Sequence, residues 1–98
     1  MSEVRFEWDA DKEAENRRKH RVSFVEAESV FADEFALLVN DPGHSDDEAR
    51  FVLMGLSAKL RVLVVVHAYR EAAGVIRLIS ARKANGRERA IYNRRWQT

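Results

Sequence analysis

Residues 75–92 read VIRLISARKANGRERAIY, and a change of period inside them decides the fold. From Val75 to Arg82 the pattern is that of a strand. Regular alternation puts Val75, Arg77, Ile79 and Ala81 on one side and Ile76, Leu78, Ser80 and Arg82 on the other. At Asn85 the period lengthens to about 3.6. Asn85 is a good N-cap, and Glu88, three positions on, can reach back to it, so a helix is expected from Gly86 to Arg95. A strand thus runs straight into a helix, and the stretch carries Arg77, Arg82, Lys83, Arg87 and Arg89. Guanidinium forks held on rigid elements suit phosphate oxygens. In a regular strand Arg77 and Arg82 face opposite sides; only a twist or a bulge brings them to one.

Upstream, the punctuation is equally regular. Phe6-Glu7-Trp8 alternates as a short edge strand. Asp9 can cap a polar helix from Ala10 to His20, with Lys12, Asn16, Lys19 and His20 along one side. Ser23 with Glu26 spells a capping box for a second helix through Phe31, striped by Phe24, Ala27, Val30 and Phe31, with Val22 and Ala27 placed as a hydrophobic staple. Phe35 to Val39, Arg50 to Ser57 and Leu60 to Tyr69 read as strands, separated by the turn-rich NDPGHSDD loop and by a hairpin turn at Ala58-Lys59. Glu71 to Gly74 turns the chain into the last strand. The order β-α-α-β-β-β-β-α, with short turns between the later strands, predicts an α+β domain: a mostly antiparallel sheet with helices packed on one face.

The chain has 98 residues, which predicts a single domain over 1–98. A chain of this size buries roughly 60–65% of its unfolded surface, enough for one core. Cysteine is absent, so disulfides, thiol catalysis and zinc–thiolate sites are excluded. The N-terminus lacks the character of a signal peptide, and the longest apolar run, Val62 to Val66, is too short for a membrane span. A cytoplasmic protein without membrane contact is expected. The formal charge of +1 hides an asymmetry: residues 1–50 hold 14 acidic and 7 basic side chains, residues 51–98 hold 2 and 10. Such a split suggests one surface that meets a polyanion.

Taken in order, FEWDADKEAENRRKHRVSF, VFAD, HSDDEARF, LVVVHAYR and IRLISARKANGRERAIY resemble the BrnT-type toxins of bacterial type II toxin–antitoxin systems, over Phe6 to Tyr92. The resemblance implies a compact RelE-like fold and a ribonuclease that needs no metal and no cofactor. It implies RNA as substrate and a small BrnA-like antitoxin as partner, in a hetero-oligomer that binds operator DNA through the antitoxin. Three positions depart from the family pattern. Arg21 stands where glycine is usual, Glu34 where proline is common, and Tyr69 where an acidic residue is usual. A glycine after the first helix would point to positive φ there.

RNA cleavage without a metal needs the 2′-OH deprotonated, the leaving oxygen protonated and the phosphoryl charge neutralised. The last task carries the largest share and suits arginine. Arg70, Arg77 and Arg82 are the candidates for it. His67, at the end of the central strand beside Arg70, is the first choice for proton transfer. Glu88 and Tyr92, one turn apart, are candidates to orient an arginine or donate a proton. Lys12, Asn16, Lys19 and His20 are candidates for the RNA backbone; His44 lies in a polar loop. Trp8 and Trp96 could stack on bases, though Trp8 also suits the core. No group of residues has metal-ligand spacing. The alternative is a module of similar fold that binds nucleic acid or protein and cleaves nothing. A helix-turn-helix over residues 10–31 fits poorly, because its second helix is acidic and apolar.

Overall fold

A computed structural model of the protein describes residues 4–40 and 49–95. The elements are β1 (Arg5–Glu7), α1 (Ala10–His20), α2 (Phe24–Ser29), β2 (Leu37–Asn40), β3 (Arg50–Leu56), β4 (Val62–Arg70), β5 (Val75–Lys83) and α3 (Gly86–Arg95). Short 3₁₀ turns at Val30–Ala32 and Glu71–Ala73 join neighbours. The expected α+β order is the observed one. The five strands form one sheet in the order β1-β5-β4-β3-β2. All neighbours are antiparallel except β1 and β5, which run parallel at the edge.

Local chemistry explains the helix boundaries. Asp9 accepts from the Lys12 N–H and caps α1. Arg21 closes α1 with φ 60 and ψ 33, a left-handed conformation that costs a residue with a Cβ about 1–2 kcal/mol. The position that resembled a glycine site is therefore left-handed in this chain too. At α3 both halves of the capping box form: Asn85 Oδ1 accepts from the Glu88 N–H at 2.8 Å, and Glu88 accepts from the Asn85 N–H at 2.9 Å.

The box at α2 forms only by half. Ser23 Oγ accepts the Glu26 N–H at 3.0 Å, but the Glu26 carboxylate turns away to the Ser57 hydroxyl and the Arg61 guanidinium. A buried carboxylate takes the cationic partner within reach before a backbone cap. This network pins the start of α2 to the β3–β4 hairpin. The α-helix also ends at Ser29, short of the expected Phe31. Ser29 Oγ bonds back to the Glu26 carbonyl, and the following turn tightens to 3₁₀.

The core lies between the sheet and the two N-terminal helices: Val22, Phe24, Ala27 and Val30 meet Leu53, Leu63, Val65, Leu78 and Ala81. Trp8 packs edge-on against Phe24, in agreement with a core role. Because β1 ends at Glu7, the outer edge of β5 beyond it needs another partner. Asn16, on α1, supplies it. Its side-chain amide donates to the Ala81 carbonyl at 2.8 Å and accepts from the Ala81 N–H at 3.0 Å, as an adjacent strand would. Its second N–H donates to the Val22 carbonyl.

Candidate functional site

Directly paired residues in a sheet point to the same face, so register assigns each side chain. The β4–β5 ladder shifts between Val66 and His67: Val66 faces Ser80, whereas His67 faces Leu78. Ile79 is the extra residue, a β-bulge on β5. Its effect is to reset the alternation. Arg82 pairs with Val64 and Arg77 pairs with Ala68, and Val64 and Ala68 lie on one face of β4. Arg77, Ser80 and Arg82 therefore share the face opposite the core helices, which a regular strand forbids. Arg70, two residues beyond Ala68 on β4, belongs to the same face.

Next along the Arg77 row, Glu7 pairs with Arg77 on β1, and Arg50 pairs with Ala68 on β3. Beyond it, Arg5 pairs with Val75, which pairs with Arg70. Among the described residues, one end of this face thus carries Arg5, Arg50, Arg70 and Arg77, with Glu7 as its acidic residue. Arg82 stands four residues along β4 from that row, about 13 Å away by strand rise. It is held differently. Glu88 grips both of its terminal nitrogens, at 2.8 and 2.9 Å. The Arg82 hydrogen bonds, against a smaller opposing effect of burial, push the Glu88 carboxyl down to about 2.

His67 lies elsewhere. Its side chain points to the helix-covered face, 4% exposed, edge-on to Phe31 and stacked with Phe51. Burial pushes its pKa down, opposed by the Val65 carbonyl beside Nδ1. It lines a groove of about 400 Å³ with Leu38, Leu53, Tyr69 and Ile76. The expected grouping of His67 with Arg70 does not form, because three residues along a strand change the face. Tyr69 shares the groove side, so its departure from the family pattern does not touch the arginine face. Tyr92 is 1% exposed and donates to Asp33 at 2.5 Å. Burial opposes ionisation of Asp33, yet the Leu56 N–H, the Tyr92 hydroxyl and the Phe35 N–H together hold its carboxyl below the usual range. Tyr92 thus ties α3 to the rim of the sheet.

Lys12, Lys19 and His20 converge with Ile79 and Ser80 on a shallow groove of about 340 Å³ beside the bulge. Asn16 lines it too, although its polar atoms are engaged within the protein. His44 and Trp96 lie outside the described residues. Among the described residues no cluster of His, Asp or Glu could hold a metal ion, and no helix is long and apolar enough to cross a membrane. Sequence reading missed Arg50, because only register sets it beside Arg77. The clamp formed by Asn16 was equally hidden; its sole signal was a polar residue at a helix position that packs on the sheet.

A sequence model of the ribonuclease toxin BrnT of type II toxin–antitoxin systems matches residues 8–88. The chain belongs to the BrnT family. The crystal structure of the Brucella abortus ribonuclease toxin BrnT matches this fold with a TM-score of 0.62 and 21% identity, covering 85% of this chain and 99% of that one. At that identity the likeness speaks for the BrnT fold and not for individual site residues. No curated protein matches the sequence.

Proposed function

We propose that this BrnT-family chain cleaves RNA by attack of the 2′-OH on the adjacent phosphate, without a metal, and that the arginine face is the site. The observation that carries the reading is the bulge at Ile79, which gathers Arg77 and Arg82 onto the face that already holds Arg70. Family membership supplies the ribonuclease. Arg70 and Arg77 neutralise charge building on the phosphoryl oxygens, and their backbones are fixed by the sheet beforehand, which is what such stabilisation requires. Arg82 binds a second phosphate of the same strand. Glu88 orients its fork through both terminal nitrogens, while the 2′-OH proton leaves to water and water protonates the departing 5′-oxygen. Lys12, Lys19 and His20 guide the strand toward the bulge. We assign His67, Tyr92 and Asn16 to the framework, because their surroundings lie on the other side of the sheet or use up their polar atoms.

Cleavage stops translation, and a cognate antitoxin silences the enzyme by covering the arginine face with an acidic segment while binding its operator. The decisive assay incubates purified protein with RNA in EDTA. Products should end in 2′,3′-cyclic phosphate or 3′-phosphate. Strict magnesium dependence or 3′-hydroxyl ends would exclude this chemistry, and RNA retained uncut would favour a binding module. Co-expression of an antitoxin that contacts only residues 9–31 and still restores growth would contradict the covering.

A further inference from the structure

We infer that Arg50 is a fourth phosphate-binding arginine of this site, beside Arg70, Arg77 and Arg82, an inference that rests on the arginine face being the RNA surface. Arg50, Ala68 and Arg77 form one transverse row across β3, β4 and β5. Two strand spacings separate the outer Cα atoms, about 10 Å. The residue between them is an alanine with no exposed surface. Its side chain is a single methyl group, so the row holds no bulky side chain between the two arginines. Arg70 stands two residues along from Ala68, about 7 Å away. Three arginines from adjacent strands thus surround one small side chain, and every one has its backbone set by sheet pairing.

Other arginines of the described residues meet carboxylates of the protein itself. Glu88 holds Arg82, Glu26 holds Arg61, and helix carboxylates meet Arg17 and Arg18. Arg50 forms no ion pair with any described carboxylate. Glu7, the acidic residue of the row, lies beyond Arg77 on the edge strand and not between the two arginines. A phosphate over Ala68 can therefore take one fork from Arg77 and one from Arg50, with Arg70 closing the third side. Each fork is a charge-assisted contact that lowers KM as well as the barrier.

The test uses the full chain and two RNAs: a cleavable single strand, and the same strand 2′-O-methylated throughout, which binds but cannot be cut by 2′-OH attack. Arg50→Ala should weaken binding and kcat/KM about 10- to 100-fold, the loss expected for a charged hydrogen-bonding group. The slope of log affinity against log salt should fall by about 0.7, the contribution of one phosphate on a single strand. Arg50→Lys should keep the salt slope and lose some of the activity. Arg18→Ala, on the exposed side of α1, should behave as wild type. Melting curves accompany each variant, and if alanine unfolds the sheet the same slope is read from Arg50→Gln. A folded Arg50→Ala or Arg50→Gln with wild-type affinity and slope overturns the role of Arg50. If that occurs while Arg77→Ala is inactive, the arginine face survives without Arg50. If Arg77→Ala also cleaves normally, the reading of the face falls and the role of Arg50 falls with it.

Discussion

On the helix-covered face of the sheet, His67 is shut between Phe31 and Phe51 and its pKa is pushed down by burial. On the reverse face, one residue further along β4, Ala68 lies between Arg50 and Arg77. Neighbours in sequence therefore occupy opposite chemical environments. The titratable group that looks most suitable for catalysis by its ordinary pKa is the one the fold withdraws from water. Nearness in sequence does not bring two strand residues to one face, because position parity outranks proximity.

The largest expected effect lies at Arg82. Arg82→Ala should lose about 10²-fold in cleavage, by analogy with removing one charge-stabilising donor. Arg82→Lys should fall almost as far, because it keeps charge without the fork. The half-exposed pair with Glu88 contributes at most about 1 kcal/mol, so both variants should remain folded. RNA cleavage and growth arrest, measured beside melting curves, decide it. A toxic Arg82→Ala removes the residue from the site; unfolding of both variants makes its pairing with Glu88 structural.

His67→Phe tests the other face. Replacing an imidazole already packed against two rings should change stability by about 1 kcal/mol or less and leave cleavage within a few-fold. A folded but inactive His67→Phe would end the division of labour between the faces. The same variant has a pH signature. Burial holds the folded pKa below the ordinary value of 6.5, so under that pH the unfolded chain binds more protons than the native state. Stability that is full above 6.5 should be lost as pH falls toward the folded value. Denaturation midpoints between pH 7 and 5, an interval about the ordinary histidine range, should show that decline in wild type and a smaller one in His67→Phe.

The smallest effect sharpens the frame that supports both faces. Arg21→Gly relieves a left-handed residue with a Cβ and should stabilise by about 1 kcal/mol, raising the melting temperature by about 4–8 °C. Its carbonyl, which accepts from Arg61, is kept. A lowered melting temperature would show that the Arg21 side chain contributes more than its backbone costs.

Local features were legible in the amino-acid chain. The capping box of Asn85 and Glu88, the Asp9 cap of α1 and the α+β order all depend on residues within one or two turns of each other. Tertiary structure decided what depends on pairing over distance. The partner of β1 was not legible, because a three-residue strand does not encode its neighbour. The carboxylate of Glu26 left its expected cap for Arg61, a partner 35 residues away. Above all, the extra residue at Ile79 is invisible in a strand that alternates acceptably in either register. Only pairing with β4 shows the slip, and with it which arginines share a face. Phosphate binding requires several cations on one surface, and that surface is a property of register, not of composition.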